Sequence, residues 1–437
     1  MSKGFAGRLL GAVAAAAAAI TVAASVQAQE KKIKIGVIYD LTGPFAGGGS
    51  ELQYAGAKII LDYFIKQGGV EGYKIEPIYA DAQSKPDVAI NEAVRLVEQE
   101  KVDMLLGFYS SAECVPAAAR VEELKKFMWI TTCIATPVLE NRHLHYVFRP
   151  QTSGQLYGKQ ATDMLAFYSK GKLGIEPKDL RVAIIHEDGA YGVDVAKGDE
   201  IGAKKQGFKI VLNEGYSITA PDLSPLVTKL KRAKPDVLLH TGYNPDITLF
   251  LREAREQGLK FGALIGQGAG YGVYAKLKES LGNDVNYIFN IDPISIWLTN
   301  PKSLDPSLPP MIKMVGEEFD KTHPGTQIRS AHIGMAASNT YLFLSKVLPA
   351  AIKKYGGIDA EALRKAALDL DLPEGSTMMG FGVKFFPEDA SLAGQNERAF
   401  PVIIQYVDDK PVVVWPKSQA QAEPVMPLPA GMTYSYK

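Results

Sequence analysis

Two adjacent serines stand where a nucleophile or an anion-binding turn could lie. Ser110 and Ser111 follow the apolar run VDMLL (102–106), and a stretch that favours a helix comes after them. A hydrolase nucleophile at such a turn would need Gly-x-Ser-x-Gly, but no second glycine follows, and none of the six histidines stands in a local catalytic signature. We therefore predict a binding turn: the Ser111 hydroxyl and the first free N–H groups of the helix favour a carboxylate. Simple helix capping is the alternative.

Four further turns follow predicted strands, and ligands of open α/β sheets bind beyond the carboxyl ends of strands. These turns are TTCIATP (131–137), HEDGAYG (186–192), HTGYNPD (240–246) and GQGAGYG (266–272). The last does not fit the dinucleotide fingerprint, because Tyr271 occupies the place of its third glycine. The sequence has no P-loop lysine motif, and no histidine group has a third ligand at zinc spacing. We expect no cofactor, no metal and no enzymatic activity.

Aromatic residues accompany these turns. Tyr191 and Tyr243 lie at the ends of two predicted strands, Tyr109 lies beside the serines, and Phe45 lies in the glycine-rich loop LTGPFAGGG (41–49). Tyrosine can cover the apolar face of a ligand and still form hydrogen bonds through its hydroxyl group. The alternative for Tyr191 and Tyr243 is packing at a domain edge.

The N-terminus reads as an export signal. Lys3 and Arg8 precede an alanine-rich apolar stretch, which runs from Leu9 to Val26 and ends in small residues at Ala28. We predict cleavage after Ala28 and a periplasmic location, with a retained membrane helix as the alternative.

From Lys32 onward, apolar strands alternate with longer helical stretches. The rhythm runs to the strand FMWITT (127–132) and restarts after Pro150, which predicts two α/β units with parallel sheets. No tandem repeat of short period is present.

The last third of the chain is less regular. The Pro-rich stretch 292–310 is predicted as a loop, 331–354 as a long helix, and 399–415 as a β-hairpin that turns at Asp408-Asp409. The tail from Ser418 is predicted to be a strap or disordered.

Charge and cysteine content narrow the class of protein. Basic and acidic residues balance at 48 each and form no basic stripe, so nucleic acid is not an expected partner. Cys114 and Cys133 are the only cysteines, and they lack CxxC spacing. Both lie near predicted strand ends, so they could form a disulfide in an exported protein or remain free buried thiols.

Taken together, these motifs resemble the periplasmic solute-binding proteins of branched-chain amino acid type ABC transporters, which include leucine/isoleucine/valine-binding proteins. The resemblance covers nearly the whole chain after the signal. It is carried by IKIGVIYDLTGPFAGGG (33–49), GGVEGYKIEPIYAD (68–81), GFYSSAE (107–113), ITTCIATP (130–137), FRPQTS (148–153), HEDGAYG, TGYNPDITLFLREAREQGL (241–259) and AFPVIIQY (399–406).

The resemblance implies a type I periplasmic binding fold: two doubly wound parallel-sheet lobes joined by a three-segment hinge that closes on a ligand. Lobe 1 would comprise 29–148 and 292–384, and lobe 2 would comprise 149–291 and 385–437. The protein would be a monomer that delivers its solute to the membrane permease of an ABC transporter.

The resemblance also implies roles for individual residues. Ser111 and the turn from Cys133 to Thr136 would hold a ligand carboxylate, Tyr191 would close over the ligand, and Tyr243 would help hold an ammonium group. The full predicted set of ligand-binding residues is Phe45, Tyr109, Ser110, Ser111, Cys133, Ala135, Thr136, Tyr191, Tyr243 and Gln267.

Departures from the family pattern bear on the ligand. Gly268 stands where amino-acid-binding members place a glutamate that pairs with the ligand ammonium, and we expect that no acid replaces it nearby. A desolvated ammonium without a partner would cost several kcal/mol, a large part of the roughly 8 kcal/mol of micromolar binding. Ala135 replaces a usual threonine, for which Thr136 could substitute, and Gly48 replaces an aromatic residue.

These departures predict a small carboxylate without an ammonium group, such as a benzoate-like or phenylpropanoid acid. Branched-chain amino acids are one alternative. Amides or urea, which could be bound by Gln267 or Asn244, are another. An exported ligand sensor with the same fold is the alternative to a transport receptor.

Overall fold

Two sheets organise the chain in the computed structural model, which describes residues 30–326 and 328–436. In chain order the strands are β1 (Lys32–Tyr39), β2 (Lys74–Asp81), β3 (Met104–Gly107), β4 (Phe127–Ile130), β5 (Val147–Phe148), β6 (Arg181–Glu187), β7 (Lys209–Tyr216), β8 (Val237–Thr241), β9 (Ala263–Gln267), β10 (Phe289–Asp292), β11 (Asp371–Leu372), β12 (Val383–Lys384), β13 (Val402–Val407) and β14 (Lys410–Trp415).

The smaller sheet has five strands in the order β2-β1-β3-β4-β5, all parallel. Its central strands are apolar along their whole length and fully buried, as expected where helices cover both faces. The larger sheet has seven strands in the order β14-β13-β10-β9-β8-β6-β7. Its strands β6 to β10 are parallel, and β13 and β14 extend it in antiparallel fashion. The predicted α/β fold with parallel sheets is confirmed.

Helices connect the strands and cover both sheets. They are α1 (Ser50–Lys66), α2 (Pro86–Glu98), α3 (Ser111–Glu123), α4 (Gln155–Tyr168), α5 (Ala190–Gln206), α6 (Ser224–Ala233), α7 (Asn244–Glu256), α8 (Tyr274–Leu281), α9 (Leu308–Thr322), α10 (Ala331–Leu342), α11 (Leu348–Tyr355) and α12 (Ala360–Leu368).

The chain passes between the two sheets more than once. After β10 it returns to the smaller sheet, because α10 packs along α1 and Trp129 of β4 donates a hydrogen bond to the Asn339 carbonyl. After β12 it goes back, and β13 pairs with β10. Phe385 still packs on Phe148 of β5, and Gln395 accepts a hydrogen bond from buried Arg149. We therefore propose to place the third crossing after residue 396 rather than at 385.

The last third of the chain contains both the confirmed and the corrected elements. The predicted hairpin forms, and its turn residues Asp408 and Asp409 have positive φ values of 47° and 64°. The long helix is also confirmed: α10 and α11 are continuous through a wider turn at 343–347. The loop predicted over 292–310 is partly wrong, because α9 begins at Leu308. Two prolines occupy its first turn, where a missing N–H group costs nothing.

The tail forms a strap on the larger sheet, which decides between the two predictions made for it. The Leu428 N–H donates to the Gly262 carbonyl at 2.7 Å, and Tyr434 stacks on Phe261 with ring centroids 5.3 Å apart. The predicted signal, residues 1–28, lies outside the described residues. Within the described residues, no helix has the length and apolar character needed to cross a membrane.

Candidate functional site

A small cavity lies where the carboxyl ends of strands from the two sheets face each other. About 30 Å³ of it can be reached by the centre of a water molecule, which is room for roughly two waters. A ring-sized ligand would therefore require its walls to move apart. The cavity is lined by Tyr109, Ser111, Thr132, Cys133, Ile134, Tyr157, Tyr191, Tyr243, Ala269, Asp292, His332 and Met335.

On the side of the smaller sheet, the serine turn and the next strand end are held together. Ser111 is the first residue of α3, and its Oγ accepts a hydrogen bond from the Ala135 N–H at 3.1 Å. A disulfide joins Cys114 of α3 to Cys133, with the two Cα atoms 6.5 Å apart. Of the two possibilities for the cysteines, the structure has the disulfide, and it fixes Ser111 and Cys133 against the same wall of the cavity.

Three predicted residues of this side do not line the cavity. Ser110 is the residue before α3 and is fully buried, and its side chain makes no capping hydrogen bond to the helix. The Ala135 carbonyl accepts a hydrogen bond from Arg149 at 2.8 Å. The Thr136 N–H and hydroxyl groups both donate to the carboxylate of Asp194 in α5, each at 2.8 Å. Thr136 therefore links the smaller sheet to a helix of the larger one.

The predicted aromatic residues meet from both sheets: Phe45 and Tyr109 follow strands of the smaller sheet, and Tyr191 and Tyr243 follow strands of the larger one. Tyr243 is the centre of the group: its ring centroid lies 4.3 Å from that of Phe45, 5.9 Å from that of Tyr109 and 5.4 Å from that of Tyr191. Phe45 stands behind Tyr243 and is not in the lining. The Tyr191 hydroxyl donates to the Gln267 carbonyl, and this bond holds the Tyr191 ring in the cavity wall.

Gln267 is placed by its neighbours away from the cavity. Its side-chain oxygen accepts a hydrogen bond from the Thr241 hydroxyl at 2.6 Å, and its amide nitrogen donates to Asp199 at 2.7 Å. Because both ends of the amide are engaged, Gln267 braces the end of β9, and its carbonyl orients Tyr191.

Sequence reasoning missed three polar residues of the lining that lie outside every predicted turn: Tyr157 of α4, Asp292 at the end of β10 and His332 in the first turn of α10. No motif marks any of them. The available signal is the position of Asp292 at the end of YIFNID (287–292), an apolar run typical of a strand.

Asp292 corrects the statement that no acid replaces the missing glutamate. A Cβ atom built on Gly268 would lie 3.3 Å from Asp292 Oδ1, so an acid from another strand reaches the place next to residue 268. Tyr157 donates its hydroxyl to Oδ1 at 3.0 Å, and Asn290 donates its side-chain N–H to Oδ2 at 2.8 Å. Burial raises the pKa of Asp292 to about 7.

A second pair of acids lies behind the serine turn. Asp40 follows β1, and Glu113 lies in the first turn of α3. Both are buried, and their carboxyl groups interact with each other. Burial, followed by the repulsion between the two groups, raises the pKa of Glu113 to about 10. Glu113 therefore holds a proton at neutral pH.

A larger cavity of about 180 Å³ opens beside the first and also lies between elements of the two sheets. On its rim Lys276 of α8 forms an ion pair with Glu51 of α1 at 2.6 Å. This contact and the Thr136–Asp194 contact hold the two halves closed at separate points.

Comparisons with known proteins agree with this architecture. Residues 32–401 match the family model described as "Periplasmic binding protein". The Leu/Ile/Val-binding protein homolog 7 of Brucella suis biovar 1 is 33% identical over 396 residues, which are 90% of this chain and 94% of that protein.

Two solved structures show the same fold. One is the branched-chain amino acid transporter substrate binding protein LivJ of Streptococcus pneumoniae, in complex with isoleucine (TM-score 0.70, 18% identity, 88% of this chain and 100% of that chain). The other is an ABC transporter solute binding protein of Rhodopseudomonas palustris, in complex with 4-hydroxybenzoate (TM-score 0.68, 18% identity, 88% of this chain and 95% of that chain).

Proposed function

The chain belongs to the periplasmic binding protein family, and we propose that it is the receptor of an ABC importer for a small organic acid. The observation that carries this proposal is the cavity at the facing strand ends, which combines a buried serine turn with a wall of tyrosines. The identity of the ligand, the residues that bind it and the permease that receives it are proposed as well.

The serine turn supports binding of a carboxylate. The Ser111 Oγ already accepts a hydrogen bond from Ala135, so its own proton can point into the cavity. The N-terminus of α3 adds a positive partial charge behind it. With Glu113 protonated, the first turn of α3 lacks the negative charge that would oppose an anion.

The aromatic walls support a ring-bearing acid, such as a benzoate-like compound. Tyr109, Tyr191 and Tyr243 are all buried and present their rings to one small space. Offset and edge-to-face contacts between rings add about 0.5–1.5 kcal/mol per pair beyond area burial. The Rhodopseudomonas palustris neighbour that binds 4-hydroxybenzoate is an example of this ligand class on the same fold.

An α-amino acid is the second candidate, and Asp292 is the observation that favours it. Without this acid, a ligand ammonium would be unpaired in a buried cavity. With it, the ammonium has a partner from β10 in place of the missing glutamate. The isoleucine-bound neighbour represents this class.

Closure of the two halves would capture the ligand. The contacts of Thr136 with Asp194 and of Lys276 with Glu51 would break on opening and re-form on closing. We propose that the closed form, as a monomer in the periplasm, is presented to the membrane permease.

Isothermal titration of the purified protein tests the ligand class. The panel is benzoate, 4-hydroxybenzoate, coumarate, leucine and short amides. We expect an aromatic acid to bind with micromolar or better affinity, and Ser111→Ala to weaken it. Tight binding of leucine with no binding of aromatic acids would establish the second candidate. Binding of amides alone would overturn the carboxylate assignment.

A further inference from the structure

We propose that Asp292 and His332, which face each other across the cavity, select ligands that carry a hydrogen-bond donor as well as a carboxylate. The donor is an ammonium or a hydroxyl group of the ligand. Either group can donate a hydrogen bond, through N–H or O–H, to the Asp292 carboxylate. The inference rests on the proposed function, because it adds a second recognition point to the same cavity.

The space for this donor exists because residue 268 is a glycine. A Cβ atom there would lie 2.8 Å from the Tyr191 hydroxyl and 2.9 Å from a ring carbon of Tyr157. Its φ of 66° is also in the left-handed region, which favours glycine. Any longer side chain at position 268 would fill the corner in front of Asp292, which is the part of the cavity between residue 268 and the Asp292 carboxylate. Gly268 therefore leaves the carboxylate of Asp292 open to the cavity.

Asp292 is a buried acid without a cationic side chain to neutralise it. Its hydrogen bonds come from Tyr157 and Asn290, both neutral, and among the described residues no lysine or arginine forms an ion pair with it. A buried carboxylate in such surroundings is stabilised strongly by an additional donor, and most strongly by a charged one. An incoming ligand can supply that donor.

His332 closes the opposite side of the same corner. Its Nε2 lies 3.9 Å from Asp292 Oδ2, which is too long for a direct hydrogen bond. No hydrogen bond engages this Nε2 among the described residues, while the buried Nδ1 lies on the other edge of the ring, toward Gly49. Burial lowers the pKa of His332 to about 4, so the ring is neutral at pH 7 and can accept or donate one hydrogen bond. The Asp292 carboxylate and the His332 ring therefore border the same part of the cavity, and each can form a further hydrogen bond.

The two groups belong to different halves of the molecule. Asp292 pairs with Val402 in the larger sheet. His332 belongs to α10, which is tied to the smaller sheet by the hydrogen bond from Asn339 to the Thr131 carbonyl. A donor group lying between Asp292 and His332 would therefore hold both halves at once, and recognition of the donor would be coupled to closure.

Paired ligands test the inference on the wild-type protein. The pairs are 4-hydroxybenzoate with benzoate, and leucine with 4-methylpentanoate, which is leucine without its amino group. Within at least one pair we expect the donor-bearing acid to bind about 100-fold more tightly by isothermal titration, since a site built for a donor rejects an analogue without it. Equal affinities within both pairs would overturn the inference.

The Asp292→Asn variant tests whether Asp292 causes the difference in affinity within a ligand pair. The amide keeps the shape and an acceptor for Tyr157, but it loses the charge. We expect the ratio within the preferred pair to fall at least tenfold. The fall should be larger for leucine than for 4-hydroxybenzoate, because an ammonium loses its countercharge. Asp389→Asn, which changes an exposed acid, should leave the ratio unchanged. An unaltered ratio in a folded Asp292→Asn protein would contradict the assignment, and the wild-type comparison stands even if this variant does not fold.

The two proposals fail in different ways. If acids bind but a donor makes no difference, the role of Asp292 and His332 is wrong and the proposed function stands. If none of the four acids binds, the carboxylate receptor is wrong and the inference falls with it.

Discussion

The side of the cavity formed by the smaller sheet carries hydroxyl groups and a single phenol ring, that of Tyr109, whereas the side formed by the larger sheet carries three phenol rings and one carboxylate. Ser111 and Cys133 belong to the first side, and Tyr191, Tyr243 and Asp292 belong to the second. The first side is held by a covalent cross-link, and the second by hydrogen bonds and ring packing. On the proposed function, this difference predicts that an asymmetric ligand binds in one orientation, with its acid end toward the smaller sheet.

The largest effect expected is on the cross-linked side. Changing Cys114 and Cys133 together to alanine removes a link between residues 19 positions apart, and we expect the free energy of unfolding to fall by about 3 kcal/mol. Urea unfolding followed by circular dichroism measures this. The same loss should follow reduction of the wild-type protein, and reductant should not affect the double variant. Unchanged stability would mean that packing alone holds the serine turn.

On the larger-sheet side, Gly268→Ala should reduce ligand binding about 100-fold, or about 2.7 kcal/mol, because the new methyl group meets Tyr191 and Tyr157. Gly258→Ala is the matched control. Gly258 has a φ of 65° and no heavy atom near its Cβ position, so its variant carries the backbone strain without the clash. Isothermal titration and thermal unfolding separate the two effects. Equal binding losses in both variants would show that the corner in front of Asp292 is not used.

Ser111→Ala tests the acid end and should weaken carboxylate binding about tenfold, by about 1.4 kcal/mol, because one hydrogen bond to a charged group is lost. Ser338→Ala is a suitable control, since that hydroxyl group is buried in α10 and has no hydrogen-bond partner among the described residues. Isothermal titration of both variants against the same acid gives the comparison. An unchanged affinity in Ser111→Ala would place the ligand carboxylate elsewhere in the cavity.

The last prediction concerns how stability depends on pH. Folding raises the pKa of Glu113 from its ordinary 4.5 to about 10, so the folded protein retains a proton that the unfolded chain releases. Stability from this group is therefore complete below about pH 4.5 and is lost as pH rises toward 10. Glu113→Gln should flatten this decline, as measured by urea unfolding across that pH range, while Glu98→Gln on the exposed face of α2 should not. A decline as steep in Glu113→Gln as in the wild type would show that other groups cause it.

The strand ends and most of the cavity wall follow from local pattern. Because the carboxyl ends of parallel strands meet at one edge of a sheet, turns that follow apolar runs could be brought together without coordinates. Tyr109, Ser111, Tyr191 and Tyr243 lie in or beside such turns, Cys133 was named from the family resemblance, and the structure places all five in the lining. Their role in ligand binding stays a prediction.

Other residues could not be placed from local pattern. Thr136 lies in a strand-end turn, yet Asp194 from a distant helix turns it away from the cavity. Gln267 is turned inward by Asp199 in the same way. Helix α9 was missed because a run of prolines predicts a loop, although proline is tolerated in the first turn of a helix.

The sequence by itself determined the α/β order, the turns at the strand ends, the paired serines and the absence of glutamate at position 268, because each depends on neighbours within a few residues. Only the tertiary structure decided that Asp292 reaches the place beside Gly268, that His332 faces it, and that Cys114 is bonded to Cys133. The physical reason is that the chain passes back and forth between two sheets. Residues distant in sequence therefore meet at one cavity, and no local periodicity records such a meeting.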